Sequence, residues 1–257
     1  MLEALPQEMQ RHTYSIMYEV EGAHWWFVGR RRILESFLDE IVVNLIVPEN
    51  RVPRILDVGC GTGANLEMLG KYGTAEGVDV SEEALNFCRA RGLERVRLGA
   101  AEKLPYGDQS FDLVTALDVV EHLDDDAAGL REMRRVLRPG GRALLFVPAF
   151  MWLWGAQDDV SHHRRRYTLR QLRGVVRGAG FEIERASYAN LTFFAPILLV
   201  RSLMRATGVR AASENNINVP ALNGVLGRML GAERHWLRRA NLPFGVSAVC
   251  VAYRSSE

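Results

Sequence analysis

A short apolar segment, residues 54–58, runs directly into three glycines at alternate positions, Gly59, Gly61 and Gly63. An apolar run of this length that ends in glycines is typical of a buried parallel strand that turns into a helix. Glycines let the backbone approach a ligand closely, and the start of the following helix presents free N–H groups to it. The segment therefore predicts a nucleotide-binding turn, although glycines at this spacing occur in many α/β folds.

Strand and helix patterns alternate along most of the chain, and Ser81 and Thr168 are good N-cap residues for two of the helices. Such alternation predicts an α/β protein with a Rossmann-like, doubly wound sheet of seven strands. The predicted strands span residues 54–58, 74–79, 95–98, 111–117, 142–147, 181–187 and 246–253. The predicted helices span residues 7–47, 81–91, 124–137, 168–178, 191–206 and 220–239, with a further helix that begins near residue 62.

The chain divides into four predicted parts. Residues 1–50 form an N-terminal helical lid, and residues 51–187 form the Rossmann-like core that binds the cofactor. Residues 188–242 interrupt the alternation as a helical cap, in which a polar linker at 207–218 joins two helices. Residues 243–257 then return as the final strand and complete the core sheet.

Composition narrows the class of protein. The 257 residues carry a formal net charge of +1, so no global electrostatic attraction to nucleic acid is expected. The three cysteines are odd in number and far apart, which indicates a reducing compartment and predicts no metal site. Residues 1–8 lack the pattern of a signal peptide, and the longest apolar run, 191–200, is shorter than the ~20 residues that span a bilayer. We therefore expect a cytoplasmic monomer or homodimer without a transmembrane segment.

Further motifs follow the glycine turn at regular intervals. Asp79 closes the second predicted strand, where a carboxylate can accept hydrogen bonds from both hydroxyls of a ribose. Later motifs are GAAEKLP at residues 99–105, DVVEHL at 118–123 and VLRPGG at 136–141. As a set, these motifs resemble those of the class I S-adenosylmethionine-dependent methyltransferases, of the small-molecule type 11 kind. The resemblance is close over about residues 54–147 and looser up to the final strand.

The resemblance implies S-adenosyl-L-methionine as the cofactor and S-adenosyl-L-homocysteine as the product. It implies that Asp79 binds the ribose, that Val80 flanks the adenine and that Leu117 offers its carbonyl to the ammonium group. The Ala101 backbone and the neighbourhood of Glu102 would read the adenine edge. Residues of the first turn that would contact the cofactor, chiefly its methionine part, are Asp57, Gly59, Cys60, Gly61 and Gly63.

Two of these implied contacts carry an alternative. Relatives often have aspartate where Ala100 stands, so the adenine amino group here would be bound by Glu102, by the backbone or not at all. Asp57 would either contact the cofactor or only orient the loop. Both alternatives remain open from the sequence.

Methyl transfer is an in-line displacement from a sulfonium, so positioning and exclusion of water can supply much of the catalysis. A general base is needed only if the acceptor atom carries a proton. Ligands of such sheets bind beyond the carboxyl ends of the strands, where Asp118 and His122 follow the fourth strand. We expect His162 or His163, in the loop after the fifth strand, to contact the substrate, with His122 either structural or catalytic.

Two segments are candidates for substrate binding. The loop after the fifth strand holds Trp154, Arg165, Arg166 and Tyr167, which suit an anion because guanidinium groups bind phosphate or carboxylate bidentately. The alternative is a solvated basic loop. Near the N-terminus, Trp25 and Trp26 are adjacent in a predicted helix, so both cannot face one core stripe and one is expected to cover the pocket. This segment resembles the N-terminal lid of methyltransferases of glycan and lipid-linked sugar pathways, in which Arg30 would pair with the cofactor carboxylate.

The sequence thus predicts an enzyme that methylates a small or lipid-linked acceptor. If the basic loop after the fifth strand binds this acceptor, the acceptor would carry a phosphate or carboxylate. Alternatives are a catalytically idle cofactor-binding or scaffold protein and, less favoured because the glycine spacing differs from the dinucleotide fingerprint, a nicotinamide-dependent oxidoreductase. An RNA methyltransferase is disfavoured by the near-zero net charge. Residues 191–200 would contact a membrane surface, line the acceptor pocket or pack in a core or dimer interface, and nothing selects O, N or C as the acceptor atom.

Overall fold

A computed structural model describes residues 11–45, 47–48, 51–207 and 220–255 of the chain. The described part contains a seven-stranded sheet, which confirms the predicted fold class. Its strands are β1 (Arg54–Val58), β2 (Thr74–Asp79), β3 (Val96–Leu98), β4 (Phe111–Leu117), β5 (Leu137–Pro148), β6 (Glu182–Ala189) and β7 (Ser247–Tyr253). Its α-helices are α1 (Arg11–Val20), α2 (Trp25–Asn44), α3 (Ala64–Leu69), α4 (Glu82–Ala90), α5 (Asp126–Val136), α6 (Ala156–Val160), α7 (Leu169–Gly178), α8 (Phe194–Thr207) and α9 (Pro220–Leu237).

The order of strands in the sheet is β3-β2-β1-β4-β5-β7-β6. The first five strands pair in parallel, whereas β7 is antiparallel to both β5 and β6. The order reverses between β1 and β4, so a crevice opens there beyond the carboxyl ends of the strands. All seven residues of β4 are buried, as expected for a central parallel strand that is covered on both faces.

The sequence predicts one helix over residues 7–47, and this prediction is wrong for the described residues. The chain forms two helices, α1 and α2, with a turn between them at residues 21–24. His24 caps α2, because its Nδ1 accepts a hydrogen bond from the Trp26 N–H at 3.3 Å. The turn places Glu21 against the first glycine turn, as described below. Residues 7–10 lie outside the described part of the chain.

A second correction concerns the end of α5. The predicted end of this helix at residues 138–141 belongs instead to β5, which begins at Leu137. The reason is a cluster of charges at the lower edge of the sheet, where Asp112 accepts hydrogen bonds from Arg51 at 2.7 and 2.6 Å and from Arg138 at 2.9 and 3.0 Å. These bonds hold Arg138 beside β4, while residues 138–141 bulge out between Leu137 and Arg142, which pair with Phe111 and Leu113.

The N-terminal helix α2 packs along the cap helix α9 through small residues. A Cβ atom added at Gly29 would lie 2.7 Å from the Cβ of Leu230, and one at Gly231 would lie 2.6 Å from the Cδ of Arg32. Glu233 of α9 fixes the entrance to α8, since its carboxylate accepts the N–H of Asn190 at 2.8 Å and that of Thr192 at 2.6 Å. The α2–α9 pair therefore positions residues that line the cavity described below.

The cap contains two helices, as the sequence predicts, with slightly different ends. Helix α8 begins at Phe194 rather than at residue 191, and α9 ends at Leu237 rather than at residue 239. Most of the predicted polar linker, residues 208–218, lies outside the described part of the chain. Of the helices that are described, none combines the length and the apolar character required to cross a membrane.

The close approach of α2 and α9 makes the effect of alanine at Gly29 predictable. We expect Gly29→Ala to lower the free energy of unfolding by about 1–3 kcal/mol, because the new methyl group overlaps Leu230. Gly174→Ala in α7 is the matched control, since nothing lies within 4 Å of its added Cβ. That control should gain about 0.5–1 kcal/mol from helix propensity. Urea unfolding of both variants measures this, and equal stabilisation by both substitutions would refute the close packing.

Candidate active site

The turn after β1 has a backbone that only glycines adopt readily. Gly59, Gly61 and Gly63 have φ angles of +67°, +53° and +92°. A Cβ atom at Gly59 would lie 2.4 Å from the Cγ2 of Val119, so glycine is also required there by the close approach of the next crossover. The turn thus presents bare backbone to the crevice between β1 and β4.

Asp79 holds this turn in place. Its Oδ2 accepts the N–H of Gly61 at 2.8 Å, and its Oδ1 accepts the N–H of Ser81 at 3.0 Å. The carboxylate therefore joins the end of β2 to the turn after β1. Each carboxylate oxygen can accept more than one hydrogen bond, so this position still suits the ribose hydroxyls that the resemblance assigns to it.

The N-terminal helices are tied to the same turn by Glu21. Its carboxylate accepts hydrogen bonds from the Thr62 hydroxyl and from Nη2 of Arg91, the latter at 2.6 Å. Arg91 Nε also donates to the Thr62 carbonyl at 2.8 Å, and Arg31 donates to the Glu21 carbonyl at 2.6 Å. Sequence reasoning missed Glu21 because it lies 41 residues from Thr62 and no local motif marks it.

Three polar atoms around the turn are buried and have no hydrogen-bond partner among the described residues. They are Oδ2 of Asp57, Nε of Arg30 and Oε2 of Glu102. A buried polar atom without a partner is costly, so each is a plausible contact for a polar ligand. An acceptor at Glu102 suits an amino group such as that of adenine, and a donor at Arg30 suits a carboxylate. The turn and these atoms fit S-adenosylmethionine.

Asp57 and Arg30 lie close to each other behind the turn. Burial raises the pKa of Asp57 to about 7, although its Oδ1 accepts a hydrogen bond from the Thr115 hydroxyl at 2.6 Å. Burial lowers the pKa of Arg30 to about 10, and its Nη1 pairs with the carboxylate of Asp118. Asp118 itself has a φ of +62°, which turns its side chain back over the end of β4.

One cavity of about 600 Å³ connects the glycine turn with the cap. On the cap side its wall is mainly apolar and includes Phe193, Pro196, Ile197, Val200, Met204 and Leu226. The ring of Trp25 packs on Phe193 at a centroid distance of 4.7 Å, so the N-terminal helix and the cap meet over the cavity. The predicted site residues that line it are Trp25, Trp26, Arg30, Gly59, Cys60, Gly61, Asp79, Val80, Ala101, Glu102, Leu117, Asp118, His122, His163 and Arg166.

Other predicted site residues lie outside this lining, namely Asp57, Gly63, Trp154, His162, Arg165 and Tyr167. Arg165 and the Tyr167 hydroxyl both bind Asp126, at 3.0 and 2.7 Å. The indole N–H of Trp154 donates to Asp159 at 2.9 Å. These three side chains therefore attach the loop to its surroundings, whereas Arg166 lines the cavity.

Arg166 belongs to a buried polar cluster around Asp158. Asp158 Oδ1 accepts a hydrogen bond from Arg166 Nε at 2.8 Å and lies 2.8 Å from His163 Nδ1, while its Oδ2 accepts the Gly155 N–H at 2.7 Å. Burial alone would raise the pKa of Asp158, but the bonds from His163 and Arg166 outweigh it and lower the pKa to about 2. Arg201 of α8 approaches from the other side, 3.9 Å from Asp158.

A second cluster adjoins the first and was not predicted from the sequence. The rings of His122 and His163 meet edge to face at 4.7 Å, and His163 Nε2 lies 3.9 Å from Glu121 Oε1. One potential ligand atom from each of these three residues lies within 4.8 Å of the others. Burial raises the pKa of Glu121 to about 8, and burial together with the charge of His163 lowers the pKa of His122 to about 3. No spacing motif reveals the cluster, because His163 comes from a distant loop.

The raised pKa of Asp57 predicts a pH-dependent stability. Between the unfolded pKa of about 3.9 and the folded pKa of about 7, the folded protein keeps a proton that the unfolded chain releases. This carboxyl therefore lowers the free energy of unfolding as the pH rises through that range. For Asp57→Asn we expect the stability relative to wild type to rise by up to about 4 kcal/mol between pH 4 and pH 8.

Urea unfolding of the cofactor-free protein across this pH range measures the difference. The matched control is Asp124→Asn, an exposed carboxylate whose side chain is 70% accessible. Its stability relative to wild type should change far less over this pH range than that of Asp57→Asn. A constant difference for Asp57→Asn as well would mean that the buried carboxyl is ionised throughout.

Comparison with known proteins agrees with the motifs and the fold. The family described as "Methyltransferase domain" matches residues 56–145. A demethylmenaquinone methyltransferase of Chlorobaculum parvum is 41% identical over 106 residues, which cover 40% of this chain and 44% of that protein. Ajmaline N-methyltransferase of Rauvolfia serpentina is 25% identical over 247 residues, covering 91% and 84% of the two chains.

The solved structure of the [4+2]-cyclase SpnF is similar in fold, with a TM-score of 0.53, 23% identity and coverage of 86% of this chain and 80% of that one. The chain spans less than half the length of the relatives that it matches at 40–41% identity. The family model covers the segment that contains the glycine turn, Asp79 and the end of β4. Residues 56–145 thus match a methyltransferase domain, and in its motifs and fold the chain resembles the class I S-adenosylmethionine-dependent methyltransferases.

Proposed function

We propose that this protein transfers the methyl group of S-adenosylmethionine to a small or lipid-linked acceptor that binds beneath α8. The observation that carries the proposal is the single cavity that runs from the glycine turn and Asp79 to the apolar inner face of α8. Two ligands can therefore meet inside one enclosure, as a group transfer requires. The chemistry that the bound cofactor supplies is an electrophilic methyl group on a sulfonium.

The residues of this chain would contribute mainly position and exclusion of water. Asp79 would orient the ribose, Glu102 would accept from the adenine amino group, and Arg30 would bind the methionine carboxylate. Trp25 and Trp26 would close the cavity from the side of α2. A desolvated site strengthens each of these polar contacts.

The lining of the cap side supports an acceptor with a mainly apolar body. Pro196, Ile197 and Val200 project from one face of α8 into the cavity, and Leu226 of α9 adjoins them. An apolar compound buries its surface against such a wall with a gain of roughly 25 cal/mol per Å². The acceptor would therefore be held by its hydrophobic portion while its reactive group faces the sheet.

The polar end of the cavity supports a phosphate or carboxylate on that acceptor. Arg166 and Arg201 both line the cavity, and both guanidinium groups lie near the carboxylate of Asp158. Guanidinium groups favour phosphate and carboxylate as partners, so this end of the cavity suits an anionic group on the acceptor.

The reactive atom of the acceptor would lie near Asp118, His122 and His163. These three predicted catalytic residues line the cavity. His162 lies outside that lining, so we assign it no contact with the acceptor. A base is required only for an acceptor atom that carries a proton, which leaves the choice among the three to the nature of the acceptor.

A lipid-linked acceptor receives support from the outer surface of the cap. Leu199 and Leu203 of α8 are 60% and 55% exposed, and Leu222 and Met229 of α9 are 48% and 49% exposed. Large apolar side chains clustered at a cavity entrance often mark a surface that meets lipid or another apolar partner. This surface would let the protein lie against a membrane while it takes up the acceptor, so peripheral membrane contact stays part of the proposal.

A scaffold or a different reaction on the same fold is the alternative. The cyclase among the similar structures illustrates that this fold does not by itself establish methyl transfer. Calorimetric titration with S-adenosylmethionine, S-adenosylhomocysteine and NAD is the first test. We expect the first two to bind, and Asp79→Asn to weaken them at least tenfold (~1.4 kcal/mol).

Asp124→Asn is the control for that titration, because this exposed carboxylate lies away from the cavity lining and should leave both affinities unchanged. Binding of NAD in place of the other two ligands would contradict the proposal. Binding of S-adenosylmethionine without release of S-adenosylhomocysteine in the presence of any acceptor would favour the scaffold alternative.

The preference for an anionic acceptor is tested with pairs of compounds that share an apolar body and differ only in a carboxylate or phosphate. We expect kcat/KM to favour the anionic member, and Arg201→Gln to reduce that preference at least tenfold because a guanidinium group that lines the cavity is removed. Arg205→Gln is the matched control on the same helix, since Arg205 is exposed and donates to the carbonyls of Trp152 and Trp154. Equal kcat/KM for both members in the wild type would remove the anionic group from the proposal.

A further inference from the structure

Glu121, His122 and His163 form a cluster beside the cavity that the resemblance and the matches leave without a role. His122 and His163 line the cavity, and Glu121 lies directly behind them. The carboxylate and the two imidazoles can each offer one ligand atom within 4.8 Å of the others. We propose that these three residues bind a divalent transition-metal ion whose open coordination position faces the acceptor.

The strongest argument is the state of Glu121. It is fully buried, and neither of its carboxylate oxygens has a hydrogen-bond partner from another described residue. A buried carboxylate without partners is among the most costly groups in a protein interior. Oε1 lies 3.9 Å from His163 Nε2, and one carboxylate oxygen lies within 4.8 Å of a nitrogen of each imidazole. A cation held between these groups would supply the missing partner.

The surroundings of the histidines fit a metal site as well. His163 Nδ1 is 2.8 Å from the buried carboxylate of Asp158, so its Nε2 is the nitrogen that faces Glu121. A histidine that binds metal usually donates its second ring N–H to a carboxylate or a carbonyl, which fixes its tautomer and orientation. Arg166 in turn holds Asp158 at 2.8 Å. The His163 ring is therefore oriented before any ion arrives.

The donor set selects the class of ion. Two imidazoles and one carboxylate suit Zn²⁺, Mn²⁺, Fe²⁺ and related ions, whereas Mg²⁺ and Ca²⁺ prefer oxygen ligands alone. Bonds of ~2.0–2.2 Å require ligand atoms about 3–4 Å apart, so small side-chain rotations would draw the three atoms inward. Three protein ligands with a fourth position open is the arrangement of catalytic rather than structural zinc.

The role of the ion rests on the proposed function. An oxygen of the acceptor, a hydroxyl or a carboxylate, would occupy the open position at the point where the two ends of the cavity meet. Coordination lowers the pKa of a hydroxyl, so its proton would leave to water before transfer. The oxygen would then bond to the methyl carbon while the carbon–sulfur bond breaks and its electron pair stays on sulfur. His122 and His163 would act through the ion and would not take the proton themselves.

The experiment measures metal binding by the whole protein without cofactor or acceptor. Protein treated with a chelator and then titrated with Zn²⁺ or Mn²⁺ should bind one ion per chain, and Mg²⁺ should bind at least 100-fold more weakly. Glu121→Gln keeps the shape of the side chain and removes its charge, and we expect it to weaken Zn²⁺ binding at least 100-fold. His163→Asn should do the same.

His162→Asn is the matched control, because this histidine is adjacent in sequence and lies outside the cavity lining. Its φ of +54° is one that asparagine tolerates, so the fold should be retained. The control should keep the affinity of the wild type. Absence of stoichiometric binding by the wild type, or equal affinity in Glu121→Gln and the wild type, would overturn the metal site.

Cofactor binding and methyl transfer are followed separately on the same samples. A stoichiometric ion in a protein that binds no S-adenosylmethionine would leave the metal site standing and overturn the proposed function. Methyl transfer that persists unchanged after the chelator treatment would overturn the metal site and leave the proposed function standing. Both the metal site and the proposed function are supported if Glu121→Gln loses methyl transfer but binds S-adenosylhomocysteine as the wild type does. Zn²⁺ or Mn²⁺ should then also restore activity to the chelator-treated wild type.

Discussion

The hydrogen bonds of Asp79 determine where everything else in the crevice can lie. The carboxylate joins the N–H of Gly61 to the N–H of Ser81, so it couples the turn after β1 to the start of α4. The three glycines of the turn have positive φ angles and do not by themselves stabilise this conformation, because glycine has the largest backbone freedom in the unfolded chain. Asp79 on one side and Glu21 with Thr62 on the other remove that freedom. The cofactor region is thus rigid at its centre through contacts made by two distant parts of the chain.

Around this turn the protein buries an unusual number of ionisable groups. Arg30 with Asp118 and Arg166 with Asp158 are paired, so the cost of removing each charge from water is partly offset. Glu121 has no such hydrogen-bonded partner among the described residues. Structural stability alone gives no reason to keep a lone carboxylate in this place, since an apolar residue would cost less. Strongly shifted pKa values that converge on one cavity are the pattern expected of a functional site.

The sequence allowed the sheet to be predicted well, because central parallel strands are continuous apolar runs. The predicted bounds of β1, β2 and β4 agree with the structure. The break between α1 and α2 was missed, since it depends on the tertiary contact of Glu21 with Thr62 and the apolar spacing continues across it. Motif residues such as Gly59 and Asp79 could be located from the sequence because the local backbone requires them. The sequence did not reveal which side chains of residues 164–167 point towards the cavity, because a shift of one residue along an extended segment reverses the direction of each side chain.

The family model and the proposed acceptor end of the cavity cover largely different parts of this chain. The family match covers residues 56–145, whereas Trp25, Arg166 and the inner face of α8 all lie outside it. The two named relatives are methyltransferases of different compounds, demethylmenaquinone and ajmaline. Under the proposed function, the cofactor binds within the part that the family model matches, and the acceptor binds largely outside it. Because α2 and α9 pack closely at Gly29 and Gly231, we expect substitutions at this helix pair to alter the acceptor end of the cavity while the glycine turn stays intact.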